Sequence, residues 1–280
     1  MNRLKPVFIT LYITFLVIAI FYCAVQYFIH DCQLIWLTSF LACGLPLSFF
    51  AIIFLNKPKS TASLQVILSA TTAASALITI GDRFFNSAMF DSAVWIALTG
   101  LLGWILYNAW YAKLNSSFEL KIGDALPLLD LKQADGSPYD PLKDKSEFKL
   151  LVFHRGNWCP FCVAQINELE ESSDLINNEK LAIYAISPVP LKYAMSMEQS
   201  LSGNLKILAD PNNQVIRSLG IQHESSLPLG LQFFGFRSEL VFPTSILLNS
   251  QNRILFVHQS KDYRNRPNAA FWNRIIVSQS

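Results

Sequence analysis

Two cysteines two residues apart, Cys159 and Cys162, sit inside Trp158-Cys159-Pro160-Phe161-Cys162. Thiols at this spacing can close a disulfide across one helical turn, and the thiolate is the nucleophile of such chemistry. The preceding Lys149-Leu150-Leu151-Val152-Phe153 is a short apolar run that reads as a buried strand. The following Val163-Ala164-Gln165-Ile166-Asn167-Glu168-Leu169-Glu170 reads as an amphipathic helix. The pair therefore stands where a strand hands over to a helix N-terminus. There the helix dipole and its free N–H groups favour an anion and lower a thiol pKa. Pro160 suits the first helical position, where no donor is wasted. A zinc site would need a second C-x-x-C or paired histidines. The chain after residue 112 has neither, so redox use is the reading and neither metal nor cofactor is expected.

Several further segments carry a family resemblance. Trp158-Cys159-Pro160-Phe161-Cys162 resembles the W-C-x-x-C of the thioredoxin superfamily, and the rest is more similar to its peroxiredoxin (AhpC/TSA, redoxin) branch. Ile122-Gly123-Asp124-Ala125-Leu126-Pro127 with Leu131 and Asp135-Gly136 resembles the opening of that branch. Leu208-Ala209-Asp210-Pro211 with Val215 and Leu219-Gly220-Ile221 resembles its D-P…G-I segment, and Val241-Phe242-Pro243-Thr244-Ser245-Ile246 the cis-proline strand. The resemblance covers residues 118–278 and is specific because four segments come in family order. It implies an α/β thioredoxin-like sandwich, a mixed central sheet flanked by helices, over residues 113–280.

The 280 residues are 52% hydrophobic and only 15% charged, which points to membrane spans. Charge-free stretches at 7–29, 33–55, 61–80 and 92–112 are each long enough to cross a bilayer as a helix. A transmembrane four-helix bundle is thus expected over 1–112. The third stretch, rich in Ala, Ser and Thr, is expected to face the other helices, and Gly100 and Gly103 to allow close packing. The first stretch lacks a small-x-small cleavage site and reads as retained. Residues 1–112 hold five of the 22 basic and three of the 20 acidic groups, leaving 17 of each for the remainder. A neutral domain argues against a nucleic-acid partner. Arg3, Lys5, Lys57, Lys59, Lys113 and Lys121 fall on one side of four spans and Arg83 alone on the other. The basic side reads as cytoplasmic, so a multi-pass membrane protein with a cytoplasmic redox domain is expected.

In the domain, strands are expected at 128–131, 149–153, 180–187 and 205–209, with a hairpin of 244–248 and 253–259. Helices are expected at 163–170, 191–201, 211–219 and 268–277. Residues 222–239 form an apolar insertion that could cover the site, lie on the membrane or be a plain loop.

The resemblance assigns roles in two ways. Thioredoxin logic makes Cys159 the nucleophile and Cys162 the resolving thiol. Peroxiredoxin logic places a Thr or Ser three residues, and a Pro seven, before the peroxidatic cysteine. Back from Cys162 these positions hold Cys159 and Arg155; back from Cys159, Gly156 and Val152. Cys162 superposes better, yet neither matches, which favours dithiol–disulfide exchange over peroxidase chemistry. Trp158, Pro160, Pro243 and Thr244 are the expected substrate-binding residues, Pro243 through a cis peptide facing the dithiol. His154 and Arg155 are candidates for electrostatic tuning, His154 through proton transfer or else as a satisfied core or surface histidine, Arg155 as a cation beside the thiolate; Arg217 and Arg237 could fold in, and each of the three arginines could instead be a solvated surface charge. The family's buried acid falls on Phe153. The readings are therefore a membrane-anchored thiol-disulfide oxidoreductase, a thiol peroxidase, or a non-catalytic redox sensor. Substrates would be a protein disulfide or a peroxide, with a thioredoxin- or glutathione-type electron donor and membrane lipid as partners. Cys23, Cys32 and Cys43 read as small apolar residues of the spans rather than as a thiol relay.

Overall fold

The structure is a computed structural model that describes residues 4–31, 33–85, 91–115, 120–201, 205–224 and 226–279. The chain forms two compact units, one ending at Lys113 and the other beginning at Leu114.

The first unit holds α1 (Lys5–Ile29), α2 (Leu34–Asn56), α3 (Ala62–Phe85) and α4 (Asp91–Leu106), the last continued by a π-helical turn over Tyr107–Tyr111. All four helices are long and apolar enough to cross a membrane. α3 runs five residues past the expected end and takes in Asp82 and Arg83. A charge-free run marks only the hydrocarbon-spanning part, and Arg83 at the helix end bonds Asp91 at 2.9 Å. The small and hydroxylated face of α3 packs inward, with Thr72, Ser75, Ala76 and Thr79 buried. Thr79 donates to Thr38 at 2.8 Å, Trp104 Nε1 to Ser69 at 2.9 Å, and Tyr12 to the Gly100 carbonyl at 2.9 Å. A Cβ on Gly103 would lie 2.1 Å from the Tyr12 ring, so α4 and α1 approach closely there. Cys23 and Cys43 are buried in this unit; Cys32 lies outside the described residues.

The second unit is built on one sheet. Its strands are β1 (Leu131–Lys132), β2 (Pro138–Tyr139), β3 (Phe148–Phe153), β4 (Leu181–Ser187), β5 (Leu205–Ala209), β8 (Thr244–Leu248) and β9 (Ile254–Gln259). β6 (Gln222–His223) and β7 (Leu240–Val241) form a separate ribbon. The sheet order is β2-β1-β5-β4-β3-β8-β9, with β3, β4 and β5 parallel and β8 and β9 antiparallel. The central strands are apolar on both faces because helices cover both. One face carries Leu150, Val152, Ile183, Ala185, Ile207 and Leu247 against α5 (Pro160–Glu171), α7 (Leu191–Glu198) and α9 (Ala269–Gln279). The other carries Leu151, Phe153, Tyr184, Ile186 and Ile246 against α8 (Gln214–Ser218) and the segment through Leu126 and Leu129. A short α6 (Ser173–Ile176) follows α5. This is the expected thioredoxin-like sandwich.

Two local expectations are corrected. The strand expected at 128–131 is only the two-residue β1, because Pro127 and the turn at Asp135-Gly136 leave little extended chain between them. No peptide among the described residues is cis, so Phe242–Pro243 is trans. The chain runs straight from β7 into β8 there. Phe242 N–H bonds the Ile221 carbonyl at 2.8 Å, and the Pro243 carbonyl accepts from Ser260 N–H at 3.0 Å. With both neighbours held in extended pairing, no tight turn demands the costlier isomer.

Candidate active site

The dithiol lies where β3 ends and α5 begins. His154 N–H still bonds the Ile186 carbonyl at 2.9 Å, so sheet pairing continues one residue past Phe153. The chain then turns at Gly156, whose φ of +121° is left-handed. A Cβ there would also lie 2.7 Å from Val189 Cγ1, so both backbone and space call for glycine. Cys159 is the N-cap of α5, in extended conformation, and Pro160 is the first helical residue. Cys162 falls at the third helical position, its N–H on the Cys159 carbonyl at 3.0 Å.

Both cysteines are reduced, and both are sealed: Cys159 is 1% and Cys162 0% exposed. Burial alone would push both thiols up. At Cys162 the opposing forces win, and its pKa falls. The Cys159 thiol donates to its sulfur, the Arg266 and Arg155 guanidinium charges lie nearby, and the Arg155 backbone N–H also points to it. Arg266 Nη2 is 3.8 Å from Cys162 Sγ. Cys159, as the donor in this pair, is held well above the ordinary thiol range. The direction of both shifts and the nearness of Arg266 make Cys162, rather than Cys159, the thiol whose environment favours the anion.

Arg155 is buried and fixed. Its Nη2 donates to the Ser226 carbonyl at 2.8 Å, and its guanidinium lies 4.9 Å from the Trp158 ring and 5.7 Å from that of Tyr263. Tyr263 meets Phe161 edge-on at 5.5 Å. Trp158 is half-buried and Pro160 buried. His154 is fully buried; its Nδ1 accepts the Gly156 N–H at 3.2 Å. Burial and the Arg266 charge hold its pKa down to about 3, so the ring is neutral. Register puts Pro243 beside His154 on the face covered by α5, because Phe153 pairs with Thr244. Thr244 is not brought to the thiols. It alternates to the opposite face with Ile246, and its hydroxyl donates to the Phe242 carbonyl at 2.8 Å and accepts from Gln259 at 3.0 Å.

Arg217 pairs with Glu239 at the surface, and Arg237 is exposed beside Asn212; neither enters the site. A second cation joins Arg155 there, Arg266, for which the sequence carries no local signal. It sits in the charged segment between β9 and α9, 104 residues from Cys162, and no spacing rule links them. The 222–239 insertion is closed at its base by β6 and β7 and touches the site through Ser226. Its tip stays outside, with Phe233 94% exposed. No cluster of metal-binding side chains occurs among the described residues.

Among solved structures the chain is similar to peroxidoxin BcpB from Mycobacterium tuberculosis, at 16% identity over 57% of this chain and 96% of that one, with a TM-score of 0.46. It is also similar to AhpC from Enterococcus faecalis (15%, 57% and 93%, TM-score 0.46) and to reduced Prx3 from Vibrio vulnificus (13%, 57% and 99%, TM-score 0.49). No curated protein matches the chain. The family model for Redoxin matches residues 121–270. That is more than half of the 280 residues and takes in the sheet from β1 to β9, so the chain belongs to the Redoxin family and its chemistry is thiol-based redox.

Proposed function

We propose that this chain is a membrane-anchored oxidoreductase in which Cys162 attacks a small oxidant, a hydroperoxide, and Cys159 resolves the product. The observation that carries the reading is the polarity of the pair. Cys162 collects the Cys159 thiol, Arg266 and the Arg155 backbone, and so is the anion. The Cys162 thiolate attacks one peroxide oxygen; an S–O bond forms, the O–O bond breaks, and sulfur is oxidised to a sulfenic acid. The leaving alkoxide or hydroxide takes a proton from solvent. The Cys159 sulfur then attacks the sulfenic sulfur, closing the Cys159–Cys162 disulfide and releasing water with the thiol proton. A thioredoxin- or glutathione-type dithiol donor restores both thiols by exchange. Thiols exposed by 1% or less suit a two-oxygen oxidant better than a protein disulfide.

Dithiol–disulfide exchange started by Cys159 is the second reading. It is favoured by the place of Cys159 at the helix cap, with half-buried Trp158 beside it as a docking surface, Pro160 packed beneath, and Pro243 on the same sheet face.

The four long apolar helices support anchoring in a membrane, and the six-to-one bias of basic residues supports a cytoplasmic redox domain. A reducing compartment would then keep the resting state dithiol.

The test adds one equivalent of hydrogen peroxide to the reduced full-length protein in detergent. Peroxide loss should match closure of an internal Cys159–Cys162 disulfide. Closure with a protein disulfide but none with peroxide selects the second reading.

A further inference from the structure

The sheet face that α5 covers carries buried polar atoms that the protein itself does not satisfy. His154 accepts the Gly156 N–H at Nδ1, so its single ring proton sits on Nε2. That Nε2–H is buried and has no hydrogen-bond partner among the described residues. The same holds for Ser187 Oγ and for Arg266 Nε. A buried donor left unmade is costly, so such groups point to an occupant or a role.

The three are gathered in one place by the topology. Phe153 pairs with Ile186 in the parallel register of β3 and β4, so His154 and Ser187 come next, side by side. Strand alternation puts both on the face lined by Val152 and Ala185, the face that α5 and α9 cover. Arg266 leads into α9 on that face. Its charge acts on the His154 ring, and its Nη2 lies 3.8 Å from Cys162 Sγ. So a neutral N–H donor, a hydroxyl and a guanidinium converge on the side of the sheet where the thiolate sits.

We propose that His154 is a catalytic residue that binds the oxidant, its Nε2–H donating to the peroxide oxygen that leaves as the O–O bond breaks, with Ser187 as the companion donor. This rests on the hydroperoxide reading above. In the attack step negative charge develops on the leaving oxygen while the Cys162 sulfur gives up an electron pair to the other. The imidazole keeps its proton and supplies a fixed dipole; the alkoxide or hydroxide is protonated by solvent. Donors already aimed at developing charge need no reorganisation when it appears. The chemical class recognised is a small hydroperoxide, whose acceptor oxygens meet the His154 Nε2–H, the Ser187 hydroxyl and the Arg266 guanidinium.

The experiment compares full-length His154→Leu, His154→Gln and wild type, using hydrogen peroxide and iodoacetamide on Cys162 as separate probes. Alkylation needs the thiolate but no donor to a leaving oxygen. His154→Leu should slow peroxide oxidation of Cys162 on the order of 100-fold, as for other preorganised donors. Its alkylation rate should stay within about twofold of wild type, since a neutral ring adds no net charge beside the thiolate. His154→Gln, which returns an N–H near the same place, should recover a large part of the rate. If His154→Leu does not fold, a peroxide rate in folded His154→Gln nearer to wild type than to a Ser187→Ala, His154→Gln double variant supports the proposal. Equal loss in both probes would make His154 merely structural and overturn it, as would an unchanged peroxide rate. If wild type reacts with iodoacetamide but not with peroxide, the hydroperoxide reading itself has failed.

Discussion

Replacing Arg266 by Gln should raise the pKa of Cys162. The guanidinium Nη2 stands 3.8 Å from Sγ. At that distance two unit charges interact by about 4 kcal/mol for an effective dielectric near 20, or roughly three pKa units. Arg266 is partly open to solvent and Arg155 still acts on the same sulfur, so the shift in the variant should be about one to two units. Arg266→Lys keeps the charge and should shift less. The assay is the pH dependence of iodoacetamide alkylation at Cys162, read by mass spectrometry site by site. Its midpoint should move up in the Gln variant while the high-pH plateau stays. The sign for stability follows. Native Cys162 is a stronger acid than the unfolded thiol, so its ionisation stabilises the fold above the ordinary thiol value, and this is lost as pH falls through the native pKa. Wild type and variant should therefore differ most at alkaline pH and least at acid pH. A folded Arg266→Gln protein with an unmoved alkylation midpoint would refute the electrostatic role given to this residue.

Cys159→Ala removes the thiol that donates to Cys162 and should also raise the Cys162 alkylation midpoint, whereas Cys159→Ser keeps a donor and should raise it less. Gly156→Ala must adopt φ near +121° and place a methyl 2.7 Å from Val189, so urea unfolding should show a loss of about 1–3 kcal/mol or more. Asp262→Asn should destabilise the protein by about 3–5 kcal/mol, because Arg264 is nearly sealed and donates two side-chain bonds to the Asp262 carboxylate, at 2.9 and 2.7 Å. A change in thermal midpoint within error would show that this pair is effectively solvated.

What could be seen in the chain beforehand was what depends on near neighbours in sequence. The strand before Cys159 and the helix after it were legible because an apolar run, a glycine and a helix-opening proline are local signals. The four long helices were legible from missing charge, and the end of α3 was not, since Asp82 and Arg83 lie past the apolar stretch yet within the helix. Arg155 was visible beside the motif. Arg266 was not, because only the return of the chain from β9 into α9 brings it to Cys162. Thr244 shows the same limit from the other side. It follows the proline that resembles the family's strand, but one residue of alternation turns its side chain to the opposite face. The order of the two thiols depends equally on tertiary contacts. Cys159 and Cys162 are both near a helix tip, and the choice between them comes from Arg266 and from which thiol donates.

The most direct test of the central claim is sulfenic-acid trapping in the two single-serine variants. Full-length Cys159→Ser and Cys162→Ser are each exposed to one equivalent of hydrogen peroxide with dimedone present, and the adduct is mapped by mass spectrometry. The account predicts a dimedone adduct on Cys162 in Cys159→Ser and little on Cys159 in Cys162→Ser. An adduct formed chiefly on Cys159 would contradict it and make Cys159 the attacking thiol.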